Sequence, residues 1–187
     1  RSRLAAVLTA AALVVAAILA LTGLMLAFER RLIYFPQRAL DVSPADAAMR
    51  HEDVRLDAGD AEIHGWWLPR DGARWTVLLC HGNAGNVGHR LERARLIQQR
   101  LQANVLLFDY RGYGRSSGSP DEEGTYEDAR AAYRHLVEAR SVAPGRLVVF
   151  GESLGAAVAV QVALEQPAAA LVLESAFASI PEMARAA

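Results

Sequence analysis

Gly151-Glu152-Ser153-Leu154-Gly155 follows the apolar run Leu147-Val148-Val149-Phe150 and precedes a run of small apolar residues from Ala156 to Ala163. The succession reads as buried strand, sharp turn and helix. In that setting a G-x-S-x-G pentapeptide lifts a serine hydroxyl out of a sheet, on a strained turn at a helix N-terminus, which is the nucleophile-elbow arrangement. The two glycines have a steric reason. A turn this tight brings the positions two before and two after the serine together, and a Cβ there would push strand and helix apart. Ser153 is thus the candidate nucleophile. The Leu154 N–H, in the unpaired first turn of the helix, is a candidate donor to a developing oxyanion. Alone, the pentapeptide also fits a plain glycine-punctuated turn, so the rest of the chain decides.

Residues 77–85, VLLCHGNAG, read as a second buried strand running into a loop of Gly and Asn. The combination HGNAGN (81–86), DYRGYGRSSGSP (109–120) and GESLGA (151–156), with RRLIYFP (30–36) ahead of it, resembles the α/β-hydrolases. Within them it is similar to the Bem46-like membrane-anchored serine hydrolases. The likeness rests on several motifs in the right order and covers nearly the whole chain. It implies an α/β class and a partial α/β-hydrolase fold: a mostly parallel sheet with helices on both faces, preceded by one transmembrane helix. It also implies that the N–H of Asn83 is the second oxyanion donor, and that Ser153 carries an acyl-enzyme formed from a carboxylic ester, thioester or amide. No cofactor and no metal is implied.

Once the apolar N-terminal segment is set aside, about 150 residues remain, room for one domain with one core. Every basic residue is Arg and none is Lys, a composition bias without functional content. Residues 1–40 carry Arg1, Arg3, Arg30, Arg31 and Arg38 against Glu29, a balance of +4. The remaining 15 Arg face 20 acids, a balance of −5. A domain that binds nucleic acid would show a basic face of its own, so nucleic-acid partners are disfavoured. The single Cys80 allows no internal disulfide and is expected in the core, on the opposite strand face from His81.

Leu4 to Phe28 has no charged residue and exceeds the roughly 20 residues needed to span a bilayer. It is expected to be a single-pass anchor. A cleaved signal peptide would have a shorter apolar core of about 7–15 residues and a small-residue cleavage site. Arg at both ends leaves its orientation open. The domains expected are therefore residues 1–31, the anchor, and residues 32–187, the N-terminal part of a hydrolase domain. Membrane attachment makes lipids or acylated proteins candidate substrates beside small molecules.

Two runs around Gly59-Asp60 read as an antiparallel hairpin that contains His64, there as a strand residue. Helices are expected over residues 87–101, 121–140 and 154–165, with strands over 75–80, 105–108 and 171–173. Arg90, Arg93, Arg95 and Arg100 are expected on a solvated helix face, and His135 at the surface.

A serine hydroxyl needs a positioned base, and in the resembled fold the acid and the histidine follow it in the chain. All five histidines, His51, His64, His81, His89 and His135, precede Ser153, and the later acids are Glu165, Glu174 and Glu182. Glu174 ends a neighbouring strand and could in geometry serve as the acid, but the family takes its Asp from a later strand. His81 belongs to the oxyanion loop. The expectation is a C-terminally truncated chain that keeps nucleophile and oxyanion hole, lacks acid and base, and is nearly inactive alone. The alternative is a membrane-anchored, non-catalytic interaction protein on a hydrolase fold. Nucleotide binding through Gly112, Gly114 and Gly118 is set aside, because Asp109, Tyr110 and Arg111 separate strand from glycine and Pro120 follows too soon.

Overall fold

The N-terminal apolar run and its charged flank form one continuous helix, α1 (Ser2–Ile33), in the computed structural model, which describes residues 2–176. Within it, Ala5–Met25 is the only stretch among the described residues long and apolar enough to cross a bilayer: 21 residues at a mean hydropathy of 2.5. The helix runs on through Arg30 and Arg31, since arginine is a good helix former and its charge suits a helix C-terminus. Two compact units result, Arg1–Tyr34 and Phe35–Ala187.

Among the described residues the second unit has eight strands: β1 (Phe35–Pro36), β2 (Glu52–Asp57), β3 (Glu62–Leu68), β4 (Trp75–Cys80), β5 (Ala84–Gly85), β6 (Ala103–Phe108), β7 (Leu147–Glu152) and β8 (Ala170–Glu174). Six of them form one sheet in the order β2-β3-β6-β4-β7-β8, and β1 pairs with β5 in a separate parallel ribbon. β2 and β3 make the antiparallel hairpin, turning at Gly59 (φ 83°), whose N–H donates to the Asp57 carboxylate at 2.9 Å. β3 runs antiparallel to β6, and β6, β4, β7 and β8 are parallel to one another. Parallel strands are covered on both faces, which is why Val77 to Cys80 are all fully buried.

Leu91, Ala94 and Ile97 of helix α2 (Leu91–Leu101) share a core cluster with Val77, Leu79, Val105, Leu107, Val148 and Phe150. Helices α3 (Glu122–Arg134) and α4 (Leu154–Glu165) pack against each other, and α4, in which Ala156, Val158, Ala159 and Val162 are buried, also packs on β7.

Two helices differ from the sequence reading at their ends. The segment 87–101 opens with a 3-10 turn, Val87–Arg90, because the Asn86 side chain accepts the Gly88 N–H (3.0 Å) while His89 Nδ1 accepts the Asn86 N–H (3.2 Å). The segment 121–140 starts after its cap, Asp121, and ends in one wide turn at His135–Ala139, closed by the Arg140 N–H on the His135 carbonyl at 3.1 Å. His135 is half-buried there, not on the open surface, and accepts a hydrogen bond from Arg140 Nε at 3.2 Å.

The basic face of α2 also departs from expectation. Arg90 Nη2 donates to the Ala84 carbonyl at 3.0 Å, Arg93 pairs with Glu174, and Arg95 donates to the Ala47 carbonyl. These side chains reach across to other segments, so that face is only partly solvated.

Candidate active site

β7 ends and α4 begins with no intervening loop, so Ser153 alone must reverse the chain. It does so at φ 53°, ψ −115°, a conformation that L residues with a Cβ occupy only under strain. Its N–H donates to the Glu174 carbonyl at 2.9 Å and its carbonyl accepts the Ala156 N–H at 2.9 Å, which hold the turn from both sides. Neither flanking glycine has room for a methyl group. A Cβ on Gly151 would fall 2.4 Å from the Gly155 oxygen, and one on Gly155 would fall 2.1 Å from the Cys80 oxygen. Leu154 is the first residue of α4, a position whose N–H has no carbonyl one turn back within the helix.

Cys80 and Gly151 are register partners at the ends of β4 and β7, so the loop after Cys80 and the turn at Ser153 leave the sheet side by side at the carboxyl ends of parallel strands. In open α/β sheets ligands bind at such ends. A Cβ on Gly82 would meet the Glu152 oxygen at 3.5 Å and Ser153 Cβ at 3.6 Å, so that loop lies directly against the serine.

Five successive carbonyls of this loop are tied down. The His81 oxygen accepts Tyr110 Oη–H (3.0 Å), the Gly82 oxygen lies 2.7 Å from His81 Nδ1, and the Asn83 oxygen accepts both Tyr113 Oη–H (2.7 Å) and the Phe35 N–H (3.0 Å). Arg90 takes the Ala84 oxygen, and the Gln37 N–H takes the Gly85 oxygen at 3.0 Å. A carbonyl has no proton to give, so His81 Nδ1 carries one. Beneath the loop the fully buried Asp109 accepts the Val87 N–H at 2.9 Å and lies 3.7 Å from His81 Nε2. Burial pushes the His81 imidazole below its ordinary value, against the opposing pull of the Asp109 charge.

Each histidine has a partner other than Ser153. His51 Nδ1 contacts the Met49 carbonyl (3.2 Å), and the buried His64 pairs through Nε2 with Asp53 (2.9 Å), which also accepts Trp66 Nε1–H. His81, His89 and His135 are engaged as above. Cys80 is a free, fully buried thiol that burial pushes up to about 12. Of the acids after the serine, Glu165 is held by Arg130, Glu174 is held by Arg93, which lowers its pKa, and Glu182 lies outside the described residues.

Sequence reasoning singles out Ser153, Leu154, Asn83, Gly151 and Gly155; four of them make the turn from β7 into α4, and Asn83 lies in the neighbouring loop after β4. Sequence reasoning misses Tyr110, Tyr113, Asp109 and Arg90 as the groups that hold the loop. The only available signal is that Asp109, Tyr110 and Tyr113 sit in one of the three motifs.

A mostly parallel sheet in this strand order, with a strained serine turn at its carboxyl edge, defines the α/β-hydrolase class. Residues 71–187 match the family described as serine aminopeptidase, S33, and the chain belongs to that family as a Bem46-like α/β-hydrolase. It is 37% identical over 172 residues to the α/β-hydrolase domain-containing protein WAV2 of Arabidopsis thaliana (87% of this chain, 56% of the relative). To protein bem46 of Schizosaccharomyces pombe it is 35% identical over 172 residues (86% and 58%). Among solved structures, the Pyrococcus furiosus esterase Pf2001 superposes with a TM-score of 0.64 at 27% identity, covering 76% of this chain and 57% of that one. The chain thus spans little more than half the length of the relatives it matches.

Proposed function

We propose that the protein is a serine hydrolase that cleaves a carboxylic ester, thioester or amide through an acyl-enzyme on Ser153. The carrying observation is Ser153 at φ 53°, ψ −115° with the Gly82 backbone packed beside its Cβ. Strain of that kind persists where the surroundings enforce it and clusters at functional sites. In this reading Ser153 Oγ attacks the acyl carbon, and the N–H groups of Leu154 and Asn83 hold the oxyanion. The leaving group departs with a proton delivered by the base, and water then releases the acid. Chemistry requires that base, and the five histidines make their hydrogen bonds to Met49, Asp53, Gly82, Asn86 and Arg140.

The test is labelling of the intact natural protein with a fluorophosphonate probe, which phosphonylates an activated serine. Labelling should vanish in Ser153→Ala while the circular dichroism spectrum is kept. Labelling that persists in the alanine variant removes Ser153 from the role, and a wild-type protein that neither labels nor turns over p-nitrophenyl esters supports the non-catalytic interaction reading.

We further propose that α1 anchors the protein in a membrane, supported by the 21-residue apolar stretch Ala5–Met25, with lipids or acylated proteins among the substrates. Deleting residues 1–31 should move the protein from the membrane pellet to the supernatant. Retention in the pellet after a carbonate wash would locate the attachment elsewhere.

A further inference from the structure

Arg90, the last residue of the 3-10 turn before α2, touches both halves of the site. Its Nη2 donates to the Ala84 carbonyl at 3.0 Å, one residue beyond Asn83. Its Nε lies 3.6 Å from a carboxylate oxygen of Glu152, the residue before Ser153. The same Nη2 stands 3.7 Å from where a Cβ on Gly82 would be. Arg90 and Glu152 are 18% and 23% exposed, so the pair is covered without being sealed. One turn on, Arg93 holds Glu174, the register partner of Glu152 and the residue whose carbonyl receives the Ser153 N–H. Arg93 of α2 thus holds the end of β8, while Arg90, just ahead of α2, sets its charge against the end of β7 at ion-pair distance, its buried Nε making no hydrogen bond there.

The geometry points to Arg90 as a positioning residue: its guanidinium fork joins the Asn83 loop to the Ser153 turn and sets the spacing between the two proposed oxyanion donors. This rests on the serine-hydrolase reading above. The chemical reasons are the fork and the fixed charge. A guanidinium presents several N–H donors in one rigid plane, so one edge can donate to the carbonyl of one loop while the other edge keeps its charge facing the carboxylate beside the serine. A lysine ammonium is a point charge on a flexible stem and cannot reproduce that span. Neither Arg90 nor Glu152 is assigned to the substrate or the reacting atoms. Their effect passes through the separation of Asn83 and Leu154, and a misplacement of about 1 Å at a catalytic constellation can cost on the order of 10²-fold in rate.

The experiment compares wild type, Arg90→Gln, Arg90→Lys, Glu152→Gln and the double variant Arg90→Gln/Glu152→Gln in the intact natural protein, with p-nitrophenyl butyrate as substrate. Arg90→Gln should lower kcat by about 10- to 100-fold with KM nearly unchanged. Because partly exposed ion pairs add little to stability, Tm should move by no more than about 2–4 °C. Arg90→Lys should not restore kcat, and the double variant should be no slower than Arg90→Gln alone, since the two act as one link. Hydrogen–deuterium exchange supplies a readout that needs no turnover: peptides covering residues 82–86 and 151–155 should both exchange faster in Arg90→Gln. If Ser153→Ala abolishes labelling yet Arg90→Gln matches wild type in kcat and in exchange, the positioning role is overturned and the serine reading stands. Rescue by Arg90→Lys overturns the role as well, reducing Arg90 to a charge. If the wild type shows no labelling, the serine reading fails. Exchange then decides the link alone: faster exchange in both peptides keeps it, and unchanged exchange overturns it.

Discussion

Replacing Gly155 by alanine measures how closely the serine turn is seated on the neighbouring strand. The added Cβ would lie 2.1 Å from the Cys80 oxygen, 2.5 Å from the Cys80 carbon and 2.6 Å from the His81 oxygen, where ordinary contact begins at 3.4 Å. The deficit of about 1.3 Å falls on backbone, which has no rotamer into which to retreat. That backbone ends β4, a strand flanked by β6 and β7. Overpacking costs about 1–3 kcal/mol where side chains can adjust. With backbone receiving the clash we expect the upper end, about 3 kcal/mol out of a total near 5–15. In a chain of this size that is a fall in Tm of about 6–12 °C. Gly145→Ala is the control, since nothing lies within 4 Å of its Cβ position, and it should stay within about 0.5 kcal/mol of wild type. Thermal unfolding of the three proteins, followed by circular dichroism in one buffer, reads the difference directly. A Gly155→Ala protein melting within about 2 °C of wild type would refute the reasoning, because it would mean that turn and strand part without cost.

Strain at Ser153 leads to a second expectation. At φ 53°, ψ −115° glycine relaxes where alanine does not, so Ser153→Gly should melt about 2–4 °C above Ser153→Ala, with neither labelling; equal melting temperatures would show an unstrained turn. Burial holds the His81 and His135 imidazoles below their ordinary value of about 6.5. The unfolded chain then takes up protons that the folded chain resists, so their contribution to stability is full above about pH 6.5 and is lost as pH falls through the folded values. The urea midpoint should drop between about pH 7.5 and about pH 5, and His135→Gln should make the drop smaller; an unchanged drop would clear His135 of any part in it.

Much of the scaffold is legible in the sequence because its signals are local. Val77 to Cys80 and Leu147 to Phe150 are unbroken apolar runs, as strands covered on both faces must be. Leu91, Ala94 and Ile97 recur at helical spacing. The glycines of GESLG mark the serine turn because only a missing Cβ fits there. Other features are not local and leave no periodic trace. A charged helix face reads the same whether it meets water or the carbonyls and carboxylates of another segment, so Arg90, Arg93 and Arg95 pass for solvated residues. The contacts of Tyr110, Tyr113 and Gln37 to residues 81–85 bridge segments far apart in the chain. The ends of the helices shift by a few residues where one side chain, such as Asn86 at its cap, overrides the average preference.

The capped carbonyls of residues 81–85 bear on how this protein can be redesigned. A surface loop usually tolerates insertion and wholesale replacement because its polar groups answer to water. This one answers to Tyr110, Tyr113, Arg90, the His81 ring and the backbone of residues 35 and 37. A segment grafted here from another hydrolase would arrive without its own set of donors, and each orphaned oxygen would have to find water in a crowded place. Libraries aimed at new specificity should therefore hold residues 81–86 fixed together with those distant donors, and vary side chains elsewhere on the rim.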